Sequence, residues 1–217
     1  MGQKFDAIFV DLDSTIYDTS KFREDMFQIF SPFGISREEF FLSYREAAEA
    51  PLLGYFNYTF EKQIEAVRNR GYVVPDAILG KLDEVLDNDY LYPDAPIFLS
   101  QLKKLGEKII LLTAGNRIFQ REKVDNTKSN LMVDEVMQVD GGKNLALAPF
   151  VKSSQRLVFV NDNLDENIMI KKEYPDITVI TKFNPDYWTE EQCEKSGLPW
   201  FKSLTEISQY LYKQYEE

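Results

Sequence analysis

The 217-residue chain contains no histidine and a single cysteine, Cys193. Without histidine, Ser-His-Asp and Cys-His catalysis within the chain are excluded, and proton transfer falls mainly to Asp, Glu, Lys or Tyr. One cysteine rules out an intrachain disulfide, a two-cysteine redox motif and a multi-cysteine zinc site, so metal ligation must rest chiefly on oxygen. Positive charge is scarce as well, with 25 Lys and Arg against 36 Asp and Glu and a formal net charge of -11. That balance disfavours a nucleic-acid polymer as partner, which needs a basic, phosphate-neutralising surface, while a small anionic substrate would need local positive charge. No apolar run approaches membrane-spanning length and no long apolar leader precedes Asp6 and Asp11. The expectation is a reduced, cytoplasmic protein with no membrane association and no obligate protein partner.

What is present is enough apolar material, 44% of residues, for one large domain or a core carrying a smaller insert. The chain is organised around residues 5–17, FDAIFVDLDSTIY. Ala7 to Val10 form a short continuous apolar run that suits a strand buried on both faces, and Asp11 and Asp13 follow at its carboxyl end. Side chains two apart on extended backbone point the same way, so both carboxylates can converge on one small volume outside the sheet. Taken alone, the pair also suits an ordinary turn.

From Thr19 to about Tyr92 the pattern is helical and rich in aromatics. The spacing predicts a first helix carrying Phe22, Met26, Phe27 and Phe30, and a second from Ser36, which has the capping-box distance to Glu39. A third is expected from about Thr59 to Arg70 and a fourth from about Pro75 to Leu86. The aromatics recur at helical spacing and read as core packing rather than a ligand cage. After Tyr92-Pro93 helices and strands alternate. Strands are predicted at Lys108–Leu112, Glu135–Val139, Leu157–Val160 and Ile177–Thr181, with helices at Ala95–Leu105, Asn116–Lys128, from Lys143, and Leu204–Tyr215. The segment 183–199 reads as an irregular surface excursion. Alternation of this kind predicts an α/β fold: a doubly wound parallel sheet at 1–18 and 93–217, with residues 19–92 inserted as an α-helical cap. Ligands bind such sheets beyond the carboxyl ends of the strands.

Three predicted strand ends carry polar residues suited to phosphate and a divalent cation: Asp11 with Asp13, then Thr113, then Asp162. Lys143 stands between the last two. This order resembles the haloacid dehalogenase-like (HAD) superfamily, whose core is Rossmann-like and whose members are mostly phosphohydrolases. FVDLDST matches its first motif with Asp11, Asp13 and Thr15, IILLTAGN its second at Thr113, DGGKN its third at Lys143, and LVFVNDNLDEN its fourth at Asp162. The fourth departs from the usual form, with Asn161 in place of Gly and Asp165, Glu166 or Asn167 where a further acidic residue is expected. Lys123 and Lys128 compete for the role of Lys143.

The resemblance implies a Mg²⁺-dependent phosphomonoesterase acting on a small phosphorylated metabolite through an aspartyl-phosphate. Asp11 would be the nucleophile and Asp13 the general acid and base. Thr113, the backbone N–H of Ala114 at the start of the following helix, and Lys143 would hold the phosphoryl group. The metal ligands would be Asp11, Asp162 and the main-chain carbonyl of Asp13. Dehalogenases of the superfamily lack an acidic residue two positions after the nucleophile, so Asp13 argues for phosphate. Tyr17 resembles the form found in a nucleotidase-like branch and tilts the expected substrate towards nucleotide monophosphates. A phosphomutase, a receiver-type phosphoacceptor and a non-enzymatic binding protein on the same scaffold are the alternatives.

Overall fold

A computed structural model describes residues 3–50, 55–151 and 156–216. Its centre is β1, Ala7–Val10, in which every residue is buried. Alternate side chains go to opposite sides of the sheet. Ile8 and Val10 join the larger apolar cluster, while Ala7 and Phe9 join a second one on the other face. A strand without a polar face is stable only when layered on both sides, and this one is.

The helical stretch comes next, as α1 (Thr19–Phe30), α2 (Arg37–Ala48), α3 (Phe60–Asn69) and α4 (Ile78–Leu86). A short antiparallel pair, β2 (Glu49–Ala50) and β3 (Tyr55–Phe56), joins α2 to α3; two-residue strands carry too little pattern to be read from sequence. Side chains cap three of the helices: the Asp18 carboxylate accepts from Lys21 N, Ser36 Oγ from Glu39 N, and Thr59 Oγ1 from Lys62 N, satisfying N–H groups that have no partner inside the helix. The fourth helix starts at Ile78, three residues later than the Pro75 expected, because Pro75 and Asp76 form a turn whose carbonyls accept from Ile78 N and Leu79 N.

Then follow α5 (Ala95–Leu105), β4 (Ile109–Ala114), α6 (Arg117–Asn126), β5 (Glu135–Val139), α7 (Lys143–Val151), β6 (Leu157–Asn161), α8 (Leu164–Glu173), β7 (Thr178–Lys182), α9 (Glu190–Ser196), β8 (Trp200–Phe201) and α10 (Leu204–Glu216). Segment 183–199 is therefore less irregular than expected. It contains α9, started by a reciprocal Thr189–Gln192 capping box, and leads into β8, which pairs with β7.

The six strands are parallel in the order β5-β4-β1-β6-β7-β8. The chain builds outward from β1 through β4 to β5, then crosses back to β6 and builds the other way. The crossover makes β1 the switch point, and the crevice beyond its carboxyl end is where an open parallel sheet binds ligands. Val10 is level with Leu111 on β4 and Val160 on β6, so Asp11, Thr113 and Asp162 all emerge at that edge.

The larger apolar cluster runs without interruption from the sheet through Phe98 and Leu102 of α5 into Phe22, Met26, Phe30 and Phe40 of the helical stretch. Phe22 is central: its ring packs against Tyr17, Phe60, Tyr90 and Phe119 at 5.4 to 6.4 Å between centroids. Most aromatics of this stretch are core, as their spacing predicts. Among the described residues no helix is long and apolar enough to cross a membrane.

Candidate active site

A cavity of about 330 Å³ lies over the carboxyl ends of β1, β4 and β6 and under the helical stretch. Asp11, Asp13, Thr113, Ala114, Lys143 and Asp162 all line it. The ends of β1, β4 and β6 and the first residue of α7 thus place every site residue expected from the sequence around one cavity.

Asp11 leaves β1 with its N–H donating to Val160 O at 2.9 Å. The chain then doubles back. Ile16 N and Tyr17 N both donate to Leu12 O, and Ser14 adopts φ 57°, which returns Asp13 to the cavity. A left-handed serine is an uncommon conformation, held here because its N–H donates to Tyr17 O and Thr19 Oγ1. Thr15 Oγ1 donates to Asp11 Oδ2 at 3.2 Å, which restrains one carboxylate oxygen.

Each aspartate has its own lysine. Lys143 Nζ is 2.7 Å from Asp11 Oδ1, with both side chains buried, and also bonds Asn161 Oδ1 at 3.1 Å and lies 3.3 Å from Glu166 Oε2. Lys123 Nζ bonds Asp13 Oδ1. Its ammonium sits over the rings of Tyr17, Phe22 and Phe119 at 4.6 to 5.5 Å, where the π faces favour a cation that little water reaches. Lys128, the other competitor, is exposed and outside the cavity.

Burial pushes the Asp11 carboxyl up to about 6, against the opposing pull of Lys143. Burial, then the charge of Asp11, pushes Asp162 up to about 7. Burial would raise Asp13 too, but Lys123 outweighs it, with hydrogen bonds from Gln120 Nε2 at 2.9 Å and Thr19 Oγ1 at 3.0 Å, and Asp13 is held below the usual carboxylate range. Burial works against the Lys143 ammonium, yet Asp11 and Glu166 overcome it and its pKa is raised. Lys143 is therefore charged at neutral pH.

Two expectations change in detail. Ala114 is the last residue of β4, not the start of a helix; α6 begins only at Arg117, where Asn116 Oδ1 accepts from Phe119 N at 3.1 Å. Thr113 reaches the cavity with its hydroxyl donating to Gln120 Oε1 at 3.1 Å. Of the three candidates after Asp162, Glu166 lines the cavity, whereas Asp165 is exposed away from it and Asn167 is buried, donating to Asn161 O and Thr181 Oγ1. Asn161 fills the place of the expected glycine and gathers Lys143, Glu166 and Asn167. Tyr17 is fully buried and does not line the cavity.

Gln120, Thr19 and Asn184 escaped the sequence reading. Gln120 and Lys123 are three apart on one helix, a spacing that puts them on one face, but only the packing of α6 shows that this face meets Asp13. Asn184 Nδ2 donates to Asp162 Oδ2 at 2.7 Å; its one sequence signal is its place two residues past β7.

The model of the haloacid dehalogenase-like hydrolase family matches residues 5–169. The chain belongs to that family. No curated protein matches it. Among solved structures it is similar to a Burkholderia xenovorans LB400 protein described as a haloacid dehalogenase-like hydrolase, at 18% identity and TM-score 0.71, covering 94% of this chain and 96% of that one. L-2-haloacid dehalogenase from Xanthobacter autotrophicus aligns at 16% identity and TM-score 0.63, covering 96% and 98%. The HAD-hydrolase YfnB of Bacillus subtilis, whose structure is bound to magnesium, aligns at 14% and 0.65, covering 96% and 99%. Likeness at these identities establishes the HAD-like α/β fold shared with all three. As a HAD-like hydrolase the chain is an enzyme of the hydrolase class.

The donor set can be tested against a divalent cation. Four carboxylates, Asp11, Asp13, Asp162 and Glu166, line the cavity with two ammonium groups, Lys123 and Lys143, leaving two negative charges in excess. Among the described residues no group of three or more Asp, Glu, Cys or His side chains forms a metal cluster. The expected ligand set does not need one, since it takes two carboxylates and a main-chain carbonyl. Beyond burial, the charge of Asp11 raises the pKa of Asp162, and the charges of Asp13 and Glu166 raise that of Asp11, a crowding of carboxylates that a cation among them relieves. An all-oxygen set with excess negative charge fits Mg²⁺.

Proposed function

We propose that this HAD-like hydrolase is a Mg²⁺-dependent phosphomonoesterase for a small phosphorylated metabolite, working through an aspartyl-phosphate. The observation that carries this reading is the second carboxylate, Asp13, on the same cavity as Asp11 and bonded to its own lysine. A halide leaves without a proton, but an alkoxide must be protonated as its bond to phosphorus breaks. A second carboxylate beside the nucleophile supports phosphate ester chemistry over dehalogenation.

In this reading Asp11 attacks phosphorus in line. The P–O bond to the alcohol breaks, and Asp13, protonated for this step, transfers its proton to the departing oxygen. Asp13 then takes a proton from a water whose oxygen attacks phosphorus, the bond to Asp11 breaks and phosphate leaves. The hydrogen bonds from Lys123, Gln120 and Thr19 favour ionised Asp13, the form the second step needs. Thr113, the Ala114 backbone and Lys143 hold phosphoryl oxygens, Lys143 as a point charge. Asp11, Asp162 and the Asp13 carbonyl would hold Mg²⁺, with Glu166 nearby, and the ion when bound would neutralise phosphoryl charge.

Residues 19–92 serve here as a cap on a core of 1–18 and 93–217. The cavity is also lined by Tyr44, Tyr58, Phe119, Tyr187 and Trp188. Aromatic rings supply apolar surface for a planar group, which supports nucleoside monophosphates as the first substrates to test.

A phosphate-release screen over a metabolite panel, with and without Mg²⁺ and with Asp11→Asn as blank, tests the reading. Mg²⁺-dependent release absent from the blank is expected. Halide release from 2-haloalkanoic acids without phosphate release would overturn it, and transfer of the phosphoryl group to a second sugar would reassign the enzyme as a mutase.

A further inference from the structure

The segment following β7 does more than close the cavity. Asn184 Nδ2 donates to Asp162 Oδ2 at 2.7 Å, and Asn184 Oδ1 in turn accepts from Asp186 N at 3.1 Å. Both ends of the Asn184 amide are thus fixed, one by the site and one by the backbone two residues on. The Asp186 carboxylate reaches the opposite way, into the first turn of α1, where Oδ2 accepts from Arg23 Nη2 at 2.8 Å and from Ser20 Oγ.

Arg23 is built to hold this position. Its side chain is 7% exposed against 45% for Asp186. Its guanidinium lies over the rings of Phe41, Tyr44 and Tyr187 at 5.6 to 5.8 Å, and Nη1 donates to the Tyr187 hydroxyl at 2.8 Å. A buried guanidinium with one carboxylate partner and three aromatic neighbours has few alternative arrangements. The same turn of α1 also touches the site on its other side, since Thr19 Oγ1 donates to Asp13 Oδ1. The first turn of the helical stretch is therefore tied to both the Asp13 loop and, through residues 184–186, to Asp162.

We propose that Arg23 and Asp186 are positioning residues which set Asn184 and through it the Asp162 carboxylate, so that the seating of α1 and metal binding at the site are coupled. The inference rests on the Mg²⁺ reading given above. Asn184 restrains a carboxylate that would ligate the ion, and loss of such an outer partner lowers metal affinity about 10- to 100-fold. Arg23 and Asp186 act one step further out, so their loss lowers it less. Coupling is reciprocal: if the seat of α1 favours Mg²⁺, Mg²⁺ favours the seat of α1 by the same factor.

The test uses the full chain in two arms. Mg²⁺ affinity is measured by titration calorimetry for the wild type, Asn184→Ala, Asp186→Ala, Asp186→Asn, Arg23→Met and Arg23→Lys. Arg70→Ala is the control; it breaks ion pairs to Glu39 and Glu46 inside the helical stretch, away from the relay. Expected are a loss of about tenfold for Asn184→Ala, about three- to tenfold for Asp186→Ala and Arg23→Met, and a smaller loss for the two conservative variants; the control stays within twofold.

The second arm follows hydrogen exchange in metal-free protein across 158–167 and 183–189, where Arg23→Met should raise exchange in both segments. If Arg23→Met fails to fold, Arg23→Lys and the Asp186 variants carry both arms. Folded Arg23 and Asp186 variants with wild-type Mg²⁺ affinity and unchanged exchange at 158–167 would overturn the relay, even if Asn184→Ala binds weakly. A wild-type protein that binds no Mg²⁺ overturns the metal reading instead, and the exchange arm then decides the link between α1 and Asp162 by itself.

Discussion

Replacing Lys143 with methionine removes the cation paired with Asp11. Lys143 Nζ stands 2.7 Å from Asp11 Oδ1, with side chains only 7% and 5% exposed, and lies 3.3 Å from Glu166. Methionine keeps most of the stem volume, so the perturbation is mainly one of charge. At pH 8 the metal-free wild type is above the values of about 6 for Asp11 and about 7 for Asp162; Lys143 lowers both, so without it the variant must either keep Asp11 and Asp162 charged beside Glu166 or take up a proton, and both cost stability. Removing one partner of a buried pair costs about 3–5 kcal/mol. For a chain of this size each kcal/mol moves Tm by about 2–4 °C, so thermal unfolding in a chelator should show a fall of roughly 6–20 °C.

Two further measurements separate charge from packing. Saturating Mg²⁺ should raise the Tm of the variant more than that of the wild type, because the ion replaces the missing positive charge; at about 100 times the dissociation constant such binding is worth about 2.7 kcal/mol. The double variant Asp11→Asn with Lys143→Met should recover at least half of the loss, since the uncompensated charge is gone. A metal-free single variant within about 2 °C of the wild type would refute the reasoning, because it would mean that Lys143 does not offset the carboxylates around it.

Asp13→Asn should lower kcat about 10²- to 10⁴-fold on an alkyl phosphate and much less on p-nitrophenyl phosphate, whose leaving group needs little protonation; equal losses on both substrates would remove Asp13 from proton transfer. Lys123→Met should destabilise less than Lys143→Met, by about 1–3 kcal/mol, because Gln120 and Thr19 still donate to Asp13; chemical denaturation compares the two directly. Phe22→Ala should cost about 3–5 kcal/mol, and wild-type urea unfolding should be a single transition by fluorescence and circular dichroism, since the apolar cluster is continuous from the helical stretch to the sheet. Two separated transitions would show that the cluster does not unify them.

The order of the five longer strands and of most helices, the convergence of Asp11, Thr113 and Asp162 on one edge, and a site without histidine were legible in the chain itself. Each depends on local pattern: apolar runs of strand length, polar residues at their carboxyl ends, and the complete absence of histidine. A strand end is a local property, and a parallel sheet aligns such ends by construction. Three things were not local. Three lysines competed for one role until packing gave Lys143 to Asp11 and Lys123 to Asp13 and left Lys128 outside the cavity, a choice set by how α6 and α7 lie on the sheet. Glu166 rather than Asp165 turns inward because successive helix residues point about 100° apart, and only the seat of α8 decides which direction meets the cavity. Segment 183–199 gave no sign of its contacts, because Asn184 and Asp186 find their partners at Asp162, Arg23 and Ser20, residues that only the fold brings near.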